Sequence, residues 1–178
     1  IMSKNNKKLK VGFLGGGINS AIGYAHYAAL NIDNRFKIVC GVFSLNKNIN
    51  QKTGEVYKVN KDRVYSNIDD LIRNEKYNLD AVIVLTPINI HAEQIIKLLD
   101  NKLPVICEKA LASSIKELQD INDSILKNNG YLAVIYNYLG YPMLRELKYL
   151  IKNESLGKIN QVQIEMPMDP FSRVSTND

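Results

Sequence analysis

An apolar run, Val11 to Leu14, stops at three consecutive glycines and passes directly into a helical pattern: VGFLGGGINSAIGYAHYAAL, Val11 to Leu30. A strand that ends this way and turns into a helix gathers backbone N–H groups at the helix N-terminus, where an anion is favoured. Gly15 permits a tight turn, and Gly17 lets the backbone approach a pyrophosphate, which is the context a dinucleotide fingerprint requires. Asn19 follows, and the third fingerprint position, three after Gly17, is Ser20, small enough for close helix–strand packing. The same glycines could form a turn with no ligand, so the rest of the chain has to decide.

Beyond the turn, β-branched runs alternate with helical patterns, the mark of βαβ units and a parallel sheet. Strands are predicted at Lys10–Leu14, Lys37–Phe43, a short Val64–Tyr65, Ala81–Leu85, Pro104–Cys107 and Tyr131–Tyr136. AVIVL at Ala81 is apolar throughout, as expected of a central strand covered on both faces. The first helix runs to about Asn31, and others carry Ile68, Leu71 and Ile72, then Ile95, Leu98 and Leu99. A third pairs Ser114 with Glu117 in capping-box spacing, continues with an apolar stripe at Ile115, Leu118, Ile121 and Ile125, and stops at Gly130. The segment NKNINQKTGEVYKVNKDR, Asn46 to Arg63, reads as a polar connection. Six strands with helices between them predict a doubly wound parallel sheet, a Rossmann-type NAD(P)-binding domain over residues 1–136. From Asn137 the pattern changes: a helix with Leu144, Leu147, Leu150 and Ile151 ends near Gly157, and INQVQIEM alternates apolar and polar residues. Alternation belongs to a half-solvated strand, so residues 137–178 are expected to begin a second, unfinished α/β domain.

Composition excludes several classes. No apolar run approaches the roughly 20 residues of a membrane span, so no membrane partner is expected. Cys40 and Cys107 lie in the apolar stretches KIVCGV and PVICEK, and neither they nor His26 and His91 have metal-ligand spacing. The expectation is two buried thiols, no metal and a cytoplasmic protein. The 23 basic residues exceed the 18 acidic ones, giving a formal charge of +5, partly from Lys4, Lys7, Lys8 and Lys10. The other lysines are interspersed with carboxylates along helices, a solvated surface. Only about ten residues precede the first strand, too few for a DNA-binding helix-turn-helix, so no nucleic-acid partner is expected.

Ligand contacts in an open α/β sheet lie at strand C-termini. A NAD-type fold usually ends its second strand in a carboxylate for the ribose, but Asp33 precedes that strand and Ser44 ends it, followed by Lys47. Ser44 can hydrogen-bond a ribose or a 2′-phosphate and Lys47 can add positive charge, so NAD and NADP both fit. Thr86, Pro87, Asn89 and His91 follow the strand Ala81–Leu85 and should face the ligand. His91 has two readings, a contact to nicotinamide or substrate, or local hydrogen bonds at a helix start. Glu108 and Lys109 end the next strand. Lys109 can steady an alkoxide as hydride leaves, or form a surface pair with Glu108 that contributes little.

Together GFLGGG…GYAH, TPINIHAEQ, EKALA and NYLGYPMLRELKYLIKNESLGKI resemble the glucose–fructose oxidoreductase, inositol dehydrogenase and rhizopine-catabolism (Gfo/Idh/MocA) family. The resemblance implies an NAD(P)-dependent oxidoreductase acting at a carbinol carbon of a carbohydrate-like small molecule, with a homo-oligomer as the expected assembly of the full-length protein. It implies that Lys109 matches the lysine that contacts the reacting hydroxyl, and that Asn137, with Tyr138, lies near the nicotinamide. There are two departures. Ala110 stands where the family has a proline after a cis bond, an isomer that costs a non-proline residue roughly 2.5–4 kcal/mol. The family's Asp-x-x-x-His pattern is missing after Asn137. A non-catalytic NAD(P)-binding or sensing module is therefore the alternative expectation.

Overall fold

The computed structural model describes residues 7–32 and 34–165, so Asp33 and Met166 lie outside the described residues. The chain divides into two compact units, residues 1–136 and 137–178. In the first, β1 (Leu9–Gly15), β2 (Phe36–Val42), β3 (Ala81–Leu85), β4 (Val105–Glu108) and β5 (Leu132–Ile135) form one sheet. Its order is β2-β1-β3-β4-β5, and every pairing is parallel. The helices are α1 (Ala21–Ile32), α2 (Lys47–Val56), α3 (Ile68–Glu75), α4 (His91–Asp100) and α5 (Ile115–Asn128).

Alternation along each strand splits the core in two. Ala81, Ile83 and Leu85 join Val11, Phe13, Phe43 and Tyr57 on the face that receives Tyr27 and Leu30 of α1. Val82 and Val84 point the other way, to Leu71, Ile95, Leu98, Leu99 and Ile121 of α3, α4 and α5. β3 is buried at every residue, which is why it tolerates no polar side chain.

Four expectations are corrected. The polar connection contains α2, whose inward residues are Asn50, Thr53 and Gly54; with polar side chains on the buried face, no apolar stripe announces it. The strand at Val64–Tyr65 is one parallel bridge from Val64 to Gly41, with the Tyr65 N–H on the Gly41 carbonyl at 2.9 Å. A short 3₁₀ turn at Lys61–Arg63 and the start of α3 at Ile68 leave no length for more, so among the described residues the sheet has five strands. The left-handed residue closing α5 is Asn129, φ 48°, and Gly130 donates its N–H back to the Ile125 carbonyl at 2.9 Å. The stripe on α5 buries Ile121 but leaves Ile115 75% and Leu118 42% exposed.

In the second unit, Asn137–Gly140 form a 3₁₀ turn and α6 spans Pro142–Lys152. Residues 159–165 take no strand pairing, and Val162 and Ile164 are 71% and 82% exposed. The expected strand finds no partner among the described residues, and a lone strand is not stable.

Candidate functional site

From β1 the chain crosses to β2 on one side and β3 pairs on the other. That reversal opens a crevice at the strand C-termini. A cleft of about 700 Å³ lies there, lined by Gly15, Gly16, Gly17, Asn19 and Ser20 on one wall, by Phe43, Ser44 and Leu45 from β2, and by Thr86, Pro87 and Asn89 after β3. Its volume is in the range of cofactor sites.

The glycine turn is shaped by close backbone approach. Gly15 sits at φ +80°, and a methyl group there would lie 2.8 Å from the Leu85 carbonyl. At Gly17 it would lie 3.1 Å from the Phe43 carbonyl oxygen, and so would narrow the cleft floor. Ser20 caps α1, its hydroxyl accepting the Gly23 N–H at 3.3 Å. The close packing expected of Ser20 falls on Gly23, where a methyl group would meet the Gly16 carbonyl oxygen at 2.2 Å.

The unforeseen helix α2 anchors this turn from behind. Thr53 accepts the Ile18 N–H at 3.1 Å, and the buried Tyr57 hydroxyl donates to the Gly16 carbonyl at 3.0 Å. Asn50 holds the end of β2: its Oδ1 accepts from Phe43 and Ser44 at 2.7 and 3.3 Å, and its Nδ2 donates to the Tyr65 carbonyl at 2.8 Å. Tyr57 stacks on Tyr27 of α1 with centroids 4.5 Å apart. A tyrosine seven residues from an asparagine with threonine between them was the only local signal, and it has no motif value alone.

The remaining candidates lie outside the cleft lining. Lys47 is the first residue of α2. His91, 2% exposed, turns both nitrogens to backbone: Nδ1 lies 2.9 Å from the Ala110 carbonyl and Nε2 2.6 Å from that of Thr86. These contacts, with the Cys107 Sγ 3.5 Å from Nδ1, are of the local kind that the second reading describes. Glu108 pairs with His26, Nε2 to Oε1 at 2.7 Å, rather than with the Lys109 side chain. Lys109 is exposed and its peptide bond to Ala110 is cis. Asn137 opens the second unit and is exposed. Burial pushes the Cys107 thiol up to about 12, with the neighbouring Glu108 charge adding to it, so this thiol is neutral and unreactive at physiological pH. Among the described residues no group of three or more His, Cys, Asp or Glu could hold a metal.

A parallel sheet with a glycine turn at its switch point and an open cleft above it defines a dinucleotide-binding α/β domain. Over residues 9–136 the chain matches the oxidoreductase family with an NAD-binding Rossmann fold, Gfo/Idh/MocA, and it belongs to that family. It is 28% identical over 164 residues to the uncharacterized oxidoreductase YfiI of Bacillus subtilis strain 168, covering 90% of this chain and 42% of that protein. It is 29% identical over 155 residues to glucose-6-phosphate 3-dehydrogenase of the same organism, covering 87% of this chain and 41% of that one. The crystal structure of an inositol dehydrogenase homolog from Azotobacter vinelandii, complexed with NADH and myo-inositol, superposes with a TM-score of 0.80 at 29% identity, covering 85% of this chain and 41% of that one. The chain therefore spans about two-fifths of the length of these relatives.

Proposed function

We propose that this chain is the cofactor-binding part of an NAD(P)-dependent oxidoreductase acting at a carbinol carbon of a sugar, cyclitol or related compound. The observation that carries the reading is the glycine cradle: a methyl group added at Gly15 would strike the Leu85 backbone at 2.8 Å, and one at Gly17 would crowd the Phe43 carbonyl oxygen and the Asn19 side chain at 3.1 Å each, so the turn presents bare main chain to the cleft. Such a surface suits a pyrophosphate. When bound, NAD(P) would supply the hydride acceptor or donor. Ser44 lines the cleft and no carboxylate does among the described residues, so neither a ribose hydroxyl nor a 2′-phosphate meets a like charge there. Lys109 would donate to the reacting substrate oxygen and stabilise the charge that develops on it. Supporting the substrate class, glucose-6-phosphate 3-dehydrogenase and a myo-inositol 2-dehydrogenase from Thermotoga maritima are among the relatives.

Calorimetric titration of the chain with NADH and, separately, NADPH tests this. Saturable binding of at least one is expected, and the ratio of affinities reads the selectivity of Ser44 and Lys47. A folded chain that binds neither would sink the proposal.

A further inference from the structure

Two histidines contact the turn that carries Lys109, His26 from α1 and His91 from the start of α4. On one side His26, in α1, reaches Glu108 Oε1 at 2.7 Å, and Glu108 Oε2 accepts the Lys109 N–H at 3.1 Å. The His26 and Glu108 side chains are only 12% and 13% exposed, so the contact is shielded from the solvent that weakens surface pairs. His26 lies three residues beyond Gly23, the point where α1 rests on Gly16. On the other side the buried His91, first residue of α4, has Nδ1 2.9 Å from the Ala110 carbonyl and Nε2 2.6 Å from the Thr86 carbonyl; a neutral ring donates to one of the two and a protonated ring to both, and Thr86 lines the cleft. Glycine turn to His26 to Glu108 to Lys109 is one path, and Thr86 to His91 to Ala110 is the other.

We propose that His26 and His91 are positioning residues for Lys109, linking occupancy of the dinucleotide cleft to the direction in which Lys109 points. The inference rests on the reading of the cleft as an NAD(P) site. Neither histidine lines the cleft, so each acts through a hydrogen-bonded neighbour. A cofactor seated on the glycine turn and the Thr86 loop restrains both anchors. With either ring removed, a half-buried carboxylate or a carbonyl loses its partner, and the Lys109–Ala110 turn takes up several arrangements. Small misplacements of a group that must meet a reacting oxygen cost rate steeply.

The test is NADH and NADPH titration of the isotopically labelled chain, followed by the amide resonances of Gly15, Gly17, Lys109 and Ala110. In the native protein all four should shift with one half-saturation concentration. His26→Leu should leave the Gly15 and Gly17 responses in place while cutting that of Lys109 at least twofold. His26→Gln, which keeps an N–H donor for Glu108, should restore it, an outcome packing alone does not give. His91→Leu should do the same to Ala110. Retention of the Lys109 and Ala110 responses in both leucine variants overturns the proposal. So does silence at Lys109 and Ala110 in the native chain while Gly15 and Gly17 shift, a result that leaves the cleft reading standing. Silence at Gly15 and Gly17 with both dinucleotides removes the cleft reading and this one together. If His91→Leu fails to fold, the ring nitrogen resonances of His91 in the native chain decide its half: displacement by cofactor supports the link, and fixed positions overturn it.

Discussion

Gly23 lies inside a helix, with no unusual backbone angle to explain it, yet a methyl group there would sit 2.2, 2.5 and 2.6 Å from three backbone atoms of Gly16. Backbone cannot swing aside as a side-chain tip can, so α1 would have to lift off the turn. Overpacking of this kind costs about 1–3 kcal/mol. Gly23→Ala is therefore expected to lower stability by about 2 kcal/mol and to weaken dinucleotide binding at least tenfold, read by thermal melting and calorimetry. Gly140→Ala is the control: a methyl group there meets nothing within 4 Å, and stability should stay within about 0.5 kcal/mol of the parent. Unchanged binding by Gly23→Ala would show that the turn yields. The sequence made the turn legible at Gly15 and Gly17 because strand, glycines and helix are contiguous. It misdirected the third contact to Ser20, since fingerprint spacing assumes a turn shorter than one whose helix begins at Ala21. His26 with Glu108, 82 residues apart, has no local signature at all.

At the scale of elements, strands and helices with apolar faces were readable and those held by polar groups were not. β3 and α4 were legible from β-branched runs and a stripe at Ile95, Leu98 and Leu99, all buried. α2 was hidden because Asn50 and Thr53 fill its inner face. The crossover after it is secured not by a strand but by Glu75, at the end of α3, which receives Arg63 Nε and Nη2 at 2.6 Å each and the Tyr65 hydroxyl at 2.8 Å. Burial alone would raise the Glu75 carboxyl, but hydrogen bonds from Arg63 and Tyr65 and the guanidinium charge outweigh it and hold the group below its ordinary value. A depressed carboxylate contributes stability that is fully present above the unfolded pKa and fades as pH falls through the folded one. Glu75→Gln removes the charge and leaves Arg63 facing a neutral partner, a change expected to cost about 3 kcal/mol at neutral pH. The difference in melting temperature between parent and variant should be largest near pH 7 and shrink on acidification below the usual carboxylate range. A gap that stayed constant down to pH 3 would assign the loss to packing rather than charge.

At the scale of the whole molecule, the second unit shows its own asymmetry. Leu144, Leu147 and Ile151 recur at helical spacing on α6 and are 39%, 43% and 47% exposed, while Arg145, Glu146, Lys148 and Lys152 supply the charged residues between them. Beyond the helix, Val162 and Ile164 add further exposed apolar surface. An exposed apolar stripe along a helix is a surface suited to burial against a partner, and another copy of the chain is the partner always present in a purified sample. The net charge of +5 opposes self-association, but that repulsion is screened beyond about 10 Å at 0.1 M salt, whereas apolar burial is not. Sedimentation velocity of the 178-residue chain should accordingly show reversible, concentration-dependent association that strengthens as salt rises from 0.05 to about 0.3 M. Leu147→Lys places a charge in the middle of the stripe and should weaken association at least tenfold, while Lys148→Glu, beside it on the helix, should not reproduce that loss. A chain that stays monomeric at every concentration and salt would mean that the α6 face is too small or too divided to drive pairing. Association that ignores Leu147→Lys would move the contact elsewhere on the molecule, with the exposed Ile22, Tyr24 and Ile32 of α1 as the next surface to alter.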